Sequence, residues 1–303
     1  MKNILSIDPS TIPTTQLHNF ILSAVAPRPI AFASTIDKAG HVNLSPFSFF
    51  NCFGSNPPIL IFSPARRVRD NTSKHTLDNV QEVPEVVINI VNFPIVEQMS
   101  LASTEYDKNI NEFVKSGLTQ VASEKVRPPR VGESPVAFEC LVDQVIETGT
   151  QGGAGNLIIA RIIQLHIRKE FLNALGELDT TKLDLVGRMG ASWYCRASGD
   201  ALFEIPKPLT TKGIGIDQLP LSIRNSDILT GNNLGRLGNI EQLPSDEAVV
   251  DWFKDPAIAG VLQAHQQDRE SCRKALHFFA KGLLEKGDTE AALKTLLVFD
   301  MLH

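Results

Sequence analysis

The chain has 303 residues, 43% of them hydrophobic and 21% charged, with a formal net charge of −5 at pH 7. That is enough apolar material for a sizeable core in about two domains, and the mild acidic balance argues against nucleic acid or an anionic membrane as a partner, since both call for a dense basic surface. The four cysteines, Cys52, Cys140, Cys195 and Cys272, are too scattered to pair as metal ligands and read as reduced thiols; with no signal-peptide pattern and no apolar run long enough to span a bilayer, a cytoplasmic protein is expected.

In chain order, Arg28–Ile36 reads as a strand that ends in the turn-like Asp37-Lys38-Ala39-Gly40, and Val42–Phe50 resumes an extended pattern, so the two form a hairpin. Pro46 cannot donate to a ladder and marks the second run as an edge, a bulge or a loop. Pro58–Ser63 and Val86–Val91 are short apolar strands, the second rich in β-branched residues. Pro94–Ala102 and Ile110–Lys115 are helical, with Gly117 placed to cap the second. Val136–Glu147 and Leu157–Ile167 are longer strands joined by the glycine-rich link Gly149–Gly155. Strands without regular helix alternation predict a mainly β fold, an antiparallel barrel rather than a doubly wound sheet.

The pattern changes near Pro206. Residues 206–244 have no clear period and read as a connector. From Ser245, which can cap a helix, the spacing turns helical: Val249, Trp252 and Phe253 share one face, Leu276, Phe279 and Leu283 another, and Asp288 can cap a last helix. The expected division is therefore a β domain over 1–205, a connector over 206–244 and a small helical domain over 245–303.

Two stretches carry residues suited to ligand chemistry. Residues 63–76, SPARRVRDNTSKHT, place Arg66, Arg67, Arg69 and Lys74 among hydroxyls just before a helix expected near Ser73, a combination that suits a phosphate. Taken alone the run also reads as a solvated basic loop. The second stretch sets Ser34, Thr35, Asn43, Ser45, Ser48 and Asn51 among Phe47, Phe49, Phe50 and Phe53, as a flat heteroaromatic ligand requires; alone, the phenylalanines could simply be core. No metal-protease, paired-cysteine, nucleophile-elbow or P-loop motif is present, and the glycines at 152–155 do not open a helix, so they are not a dinucleotide fingerprint.

Together the two stretches resemble a known family. The run APRPIAFASTIDKAGHVNLSPFSFFNCFGSNPPILIFSP, then KHTLDNV, NEFVKSGLT, VRPPRVGESPVAFEC and VGRMGASWY, is similar in order and spacing to the flavin reductase-like, FMN-binding split barrels over about residues 20–195. The resemblance implies a split β-barrel that forms a homodimer and binds FMN, with NADH or NADPH as electron donor and an acceptor that the sequence does not name. It implies that the phosphate meets Ser63 and Lys74–Thr76, with Arg69 nearby, and that the ring and ribityl chain run along Ser34, Thr35 and Asn43–Ser48, with Ser45 and Phe49 in that wall. His75 departs from the family, which commonly has Asp there. His166, expected on the strand face shared with Ile158, Ala160 and Ile162, is a candidate catalytic residue, or else a satisfied rim histidine. Arg188 and Tyr194 match the terminal motif and could equally pin the last strand. The implied activity is an NAD(P)H-dependent flavin reductase; the alternative is a non-catalytic flavin carrier or redox sensor whose C-terminal helices bind a partner.

Overall fold

The computed structural model describes residues 3–205 and 212–302, and the chain divides into two units, Met1–Phe203 and Glu204–His303. The first begins with α1 (Thr14–Ala24) and continues through β1 (Ala31–Ile36), β2 (Val42–Phe47), β3 (Phe50–Ser55), β4 (Pro58–Phe62), α2 (His75–Glu82) and β5 (Glu85–Ile90). It goes on with α3 (Val96–Leu101), α4 (Glu112–Ser116), the short pair β6 (Gln120–Val121) and β7 (Arg130–Val131), β8 (Val136–Glu147), β9 (Asn156–Ile167), α5 (Thr180–Leu183), β10 (Leu185–Arg188) and β11 (Tyr194–Ala197). Seven strands form one antiparallel sheet in the order β2-β1-β5-β8-β9-β4-β3.

The sheet curls. β2 and β4 are five positions apart in the strand order, which in a flat sheet is roughly 24 Å, yet the rings of Phe47 and Phe62 are 5.5 Å apart. Inward residues of β1, β2, β4, β5, β8 and β9 meet in one buried cluster with Phe62, Ile88, Cys140 and Ile158, and α2 closes it with Leu77 and Val80. On the outer face Phe32 and Leu44 are covered by Met99 of α3 and Phe113 of α4. Apolar side chains thus leave water on both faces of β1, which explains its unbroken burial.

The expected hairpin is β1–β2. Its turn is held by the Asp37 N–H on His41 O (3.1 Å) and uses Gly40 at φ 94°, a conformation that costs glycine least. β2 is an edge strand, as Pro46 implies, and the Leu44 N–H points away from β1, donating to Glu112 (2.9 Å). Two residues on, the proline nitrogen faces the same way, so no ladder bond is lost. β3 and α1 have no counterpart in the sequence reading. No residue of α1 is buried; the Arg28 guanidinium, itself buried, donates to the carbonyls of Leu22 and Val25 at its C-terminal end.

In the second unit, helices run α6 (Leu221–Arg224), α7 (Gly231–Leu237), α8 (Asp246–Trp252), α9 (Pro256–Ala264), α10 (Arg269–Glu285) and α11 (Thr289–Leu302). Ser245, Asp255 and Asp268 accept from the first turns of α8, α9 and α10, and Asp288 accepts from Ala291 N (3.0 Å). The connector expectation is corrected here. Its start, 206–211, lies outside the described residues, but Leu219, Ile223, Leu229 and Leu237 pack with Ala280, Leu284 and Leu296 in one core. The glycines that make this stretch look loop-like allow a close backbone crossing: Gly215 N–H donates to Gly238 O (2.9 Å), and a Cβ on Gly238 would lie 2.9 Å from the Gly215 carbonyl carbon.

Candidate functional site

Asn43 organises the site. On β2 it shares the inward face with Ser45 and Phe47, and α2 brings Thr76 to it. The Thr76 hydroxyl donates to Asn43 Oδ1 (2.7 Å), and Asn43 Nδ2 donates to Glu112 Oε1 (2.8 Å). All three side chains are buried. Burial pushes the Glu112 carboxyl up, opposed by the hydrogen bonds from Leu44 N–H and Asn43 and by the charge of His75. Beside it, the Asn79 amide donates to Thr35 Oγ1 (3.1 Å), tying α2 to β1 as well.

A cleft opens next to this network, lined by Asn43, Ser45, Arg67, Lys74, His75 and the loop 103–106. Its cations come from the 63–74 loop. Arg67 Nε is 2.8 Å and Arg69 Nη2 3.0 Å from the two carboxylate oxygens of Glu105, with Lys74 Nζ at 3.9 Å. Arg67 also donates to the Thr72 hydroxyl (2.7 Å) and Ser73 O (2.5 Å), which fixes the loop's shape. Burial, then the positive charges of Arg67 and Arg69, lowers the Lys74 pKa despite Glu105. Three cations thus converge on the one carboxylate of Glu105, and a donor set of two guanidiniums and an ammonium suits a phosphate group. His75 opens α2 rather than Ser73, with Lys74 as its N-cap, and it also lines a second cleft containing Asp37, His41, Asp78 and Lys108.

Of the residues singled out from the sequence, Asn43, Ser45, Lys74, His75 and Thr76 meet here, with Arg69 at the rim. The Thr76 hydroxyl is directed to Asn43. Ser48 and Phe49 lie at the β2–β3 turn: Ser48 accepts from Arg28 Nε (3.4 Å), and Phe49 packs edge-on against His18 (6.4 Å). Ser63 accepts from Asn156 N–H (3.0 Å) at the start of β9. Ser34 faces away from Thr35, buried, with no hydrogen-bond partner for its hydroxyl. Arg188 stacks on the Tyr194 ring (4.6 Å) and bridges to Arg28 through the backbone.

The face expected for His166 is corrected. A register shift between Glu139 and Cys140 leaves Ile163 out of the pairing with β8, so parity reverses along β9. His166 pairs with Ala137, on the face opposite Ile158, Ala160 and Ile162, and its Nε2 is 2.6 Å from Glu139. Glu139 also accepts from the N–H groups of Glu124, Lys125 and Val126. Burial favours protonating Glu139, but these donors and His166 outweigh it and lower its pKa. Arg67, one of the cations of the 63–76 run, lines the cleft, and Glu105 and Glu112 complete the site without having been assigned to it from sequence. Among the described residues no group of three or more His, Cys, Asp or Glu is placed to hold a metal, and no helix is long and apolar enough to cross a membrane. The four cysteines are free thiols; burial raises that of Cys140 to about 12.

Comparison with known proteins places this geometry. The family model described as flavin reductase like domain matches residues 23–180. An uncharacterized protein of Aquifex aeolicus is 33% identical over 189 residues, 62% of this chain and 94% of its own length. Among solved structures, nitrilotriacetate monooxygenase component B from Bacillus cereus is similar at TM-score 0.62 and 26% identity, over 67% of this chain and 98% of that one. A split barrel domain protein from Shewanella frigidimarina gives TM-score 0.55 at 26% identity, over 65% and 95%.

Proposed function

From the premise that this chain belongs to the flavin reductase-like family, we propose that its first unit binds FMN and acts as an NAD(P)H-dependent flavin reductase or a related FMN oxidoreductase. The observation that carries the reading is the cleft beside Asn43, where Arg67 and Lys74 line the wall next to Asn43 and Ser45 of β2. A bound flavin would supply the redox chemistry, that of a hydride acceptor for a reduced nicotinamide. The chain's own residues bind and orient. Lys74 and Arg67 neutralise the phosphate, and Ser45 and His75 offer polar contacts at the mouth of the cleft. The Asn43–Thr76–Glu112 network holds β2, α2 and α4 in register. No protein acid or base is needed for hydride transfer, so the position of His166 against Glu139 is compatible with this activity.

The same reading takes the protein as a homodimer. Phe20, Ile21 and Val25 of the α1 region and Phe53 of β3 are exposed apolar side chains on a helix with no buried residue and an edge strand, which suits a second copy. A second reading, a flavin carrier or redox sensor, draws on the second unit: it builds its own core and contains none of the candidate site residues.

One experiment separates the two. The protein is reconstituted with FMN, and anaerobic bleaching is followed with NADH and NADPH for the wild type and Lys74→Ala. Bleaching much faster than that of free FMN supports the reductase. A yellow protein inert to both nucleotides rejects it in favour of the carrier. Removing Lys74 is expected to weaken FMN retention by about 1–3 kcal/mol, and unchanged retention would count against the phosphate assignment.

A further inference from the structure

Glu105 stands apart from the other acidic residues near the cleft. Its two carboxylate oxygens engage three cations of another segment: Arg67 at 2.8 Å, Arg69 at 3.0 Å and Lys74 at 3.9 Å. It belongs to the loop between α3 and α4, and no hydrogen bond of the described residues ties its carboxylate to that loop. Its side chain is 45% exposed whereas that of Arg67 is 19% exposed, so the acid is the more accessible partner. Asp70 differs. It engages Arg69, but its carboxylate also accepts from the Thr72 hydroxyl (2.6 Å) and N–H (3.1 Å), which makes it part of its own turn.

We propose that Glu105 competes with a phosphate monoester for Arg67, Arg69 and Lys74, and thereby sets how strongly the cleft distinguishes a phosphorylated ligand from its unphosphorylated counterpart. The inference rests on the FMN reading of the cleft. A carboxylate carries one negative charge, and a phosphate monoester carries ~1.5–2 at neutral pH together with three acceptor oxygens. The phosphate therefore displaces Glu105 from cations that both can reach, and the ion pairs that Glu105 gives up are subtracted from the affinity. A ligand lacking the phosphate has no reason to disturb them. Glu105 is in this sense a specificity-determining residue that acts through competition.

Glu105→Gln keeps the shape of the side chain and removes the competing charge. The full-length wild type and E105Q are titrated with FMN and with riboflavin, binding being read by quenching of flavin fluorescence. E105Q is expected to bind FMN roughly three- to tenfold more tightly, the scale of one or two exposed ion pairs, with riboflavin affinity unchanged. Unchanged or weaker FMN binding by E105Q, with the wild type still binding FMN, overturns the inference and makes Glu105 a support of the cation loop. Equal tightening of FMN and riboflavin overturns it too, since phosphate would then not be involved. If neither protein binds either flavin, the FMN reading falls and this inference with it.

Discussion

Replacing Asn43 with aspartate tests the network at the centre of the site. The change is nearly isosteric and puts a second carboxylate where the amide now donates to Glu112 at 2.8 Å. Two full charges at that separation repel by about 6 kcal/mol at an effective dielectric of 20. Binding one proton at pH 7 by a carboxyl of ordinary pKa costs about 4 kcal/mol. Protonation is the cheaper route, so the pair takes up one proton and the cost is at most that smaller figure. It falls by about 1.4 kcal/mol for each pH unit toward acid. Glu112, whose own pKa is already raised by burial, moves in the same direction: a raised folded-state pKa gives stability that is present at low pH and lost as pH rises through it. Against a domain stability of roughly 5–15 kcal/mol the loss at pH 7 is large. Hydrogen exchange in urea, read by mass spectrometry on peptides from β1 and β2, isolates the first unit from the second. The gap between wild type and Asn43→Asp is expected to be about 4 kcal/mol or less at pH 7 and to shrink to about 1 kcal/mol at pH 5. A gap that does not change with pH, or no gap, would refute the buried contact between Asn43 and Glu112.

Gly238→Ala tests the backbone crossing. Its φ of −71° suits any residue, and alanine is the better helix former by about 1 kcal/mol, but the new Cβ would meet the backbone of Gly215 and Ile216 at 2.9 Å. Strain of about 1–3 kcal/mol is expected to win, lowering the melting temperature of the second unit in calorimetry; an unchanged or higher value contradicts the crossing. His277, buried with its Nδ1 2.7 Å from the Ser226 hydroxyl, has its pKa lowered to about 4 by burial, then by Arg273. The second unit should therefore be fully stabilised above pH 6.5 and lose roughly 3 kcal/mol as pH falls to 4. Urea unfolding of His277→Asn should show a flatter profile over that range, and an identical slope would exclude His277 as its source.

Much of the first unit is legible in the sequence because its signals are local. Alternating or continuous apolar runs bounded by Gly and Asp mark β1, β2, β8 and β9, and Gly117 does cap α4, with φ 67°. β3 escapes because FNCFGS has no period: the strand is largely exposed and its ladder shifts between Cys52 and Gly54. α1 escapes because what holds its end is Arg28, a contact made through space. The His166 error has one cause, a bulge that adds a residue and reverses parity, which composition does not reveal. In the site, the SPARRVRDNTSKHT run points to the cations, but the acids that organise them are hidden. Glu105 lies in an unpatterned loop, and Glu112, as a lone acid on a five-residue helix, looks like a surface residue until folding buries it against β2. The stretch before Ser245 misleads for a similar reason, since its glycines serve a close approach between two segments distant in sequence.

The edge position of β2 bears on how the protein avoids sticking to itself. An edge strand offers its unpaired N–H groups as a template for a strand from another chain. On β2 the outward donor of Leu44 is already taken by Glu112, and at the next outward position Pro46 has no donor. A foreign strand therefore meets two consecutive positions that offer it no N–H donor. The carboxylate that steadies the cleft from one side guards the open margin of the sheet on the other, so losing Glu112 would expose the molecule to strand-mediated aggregation as well as loosening the cleft.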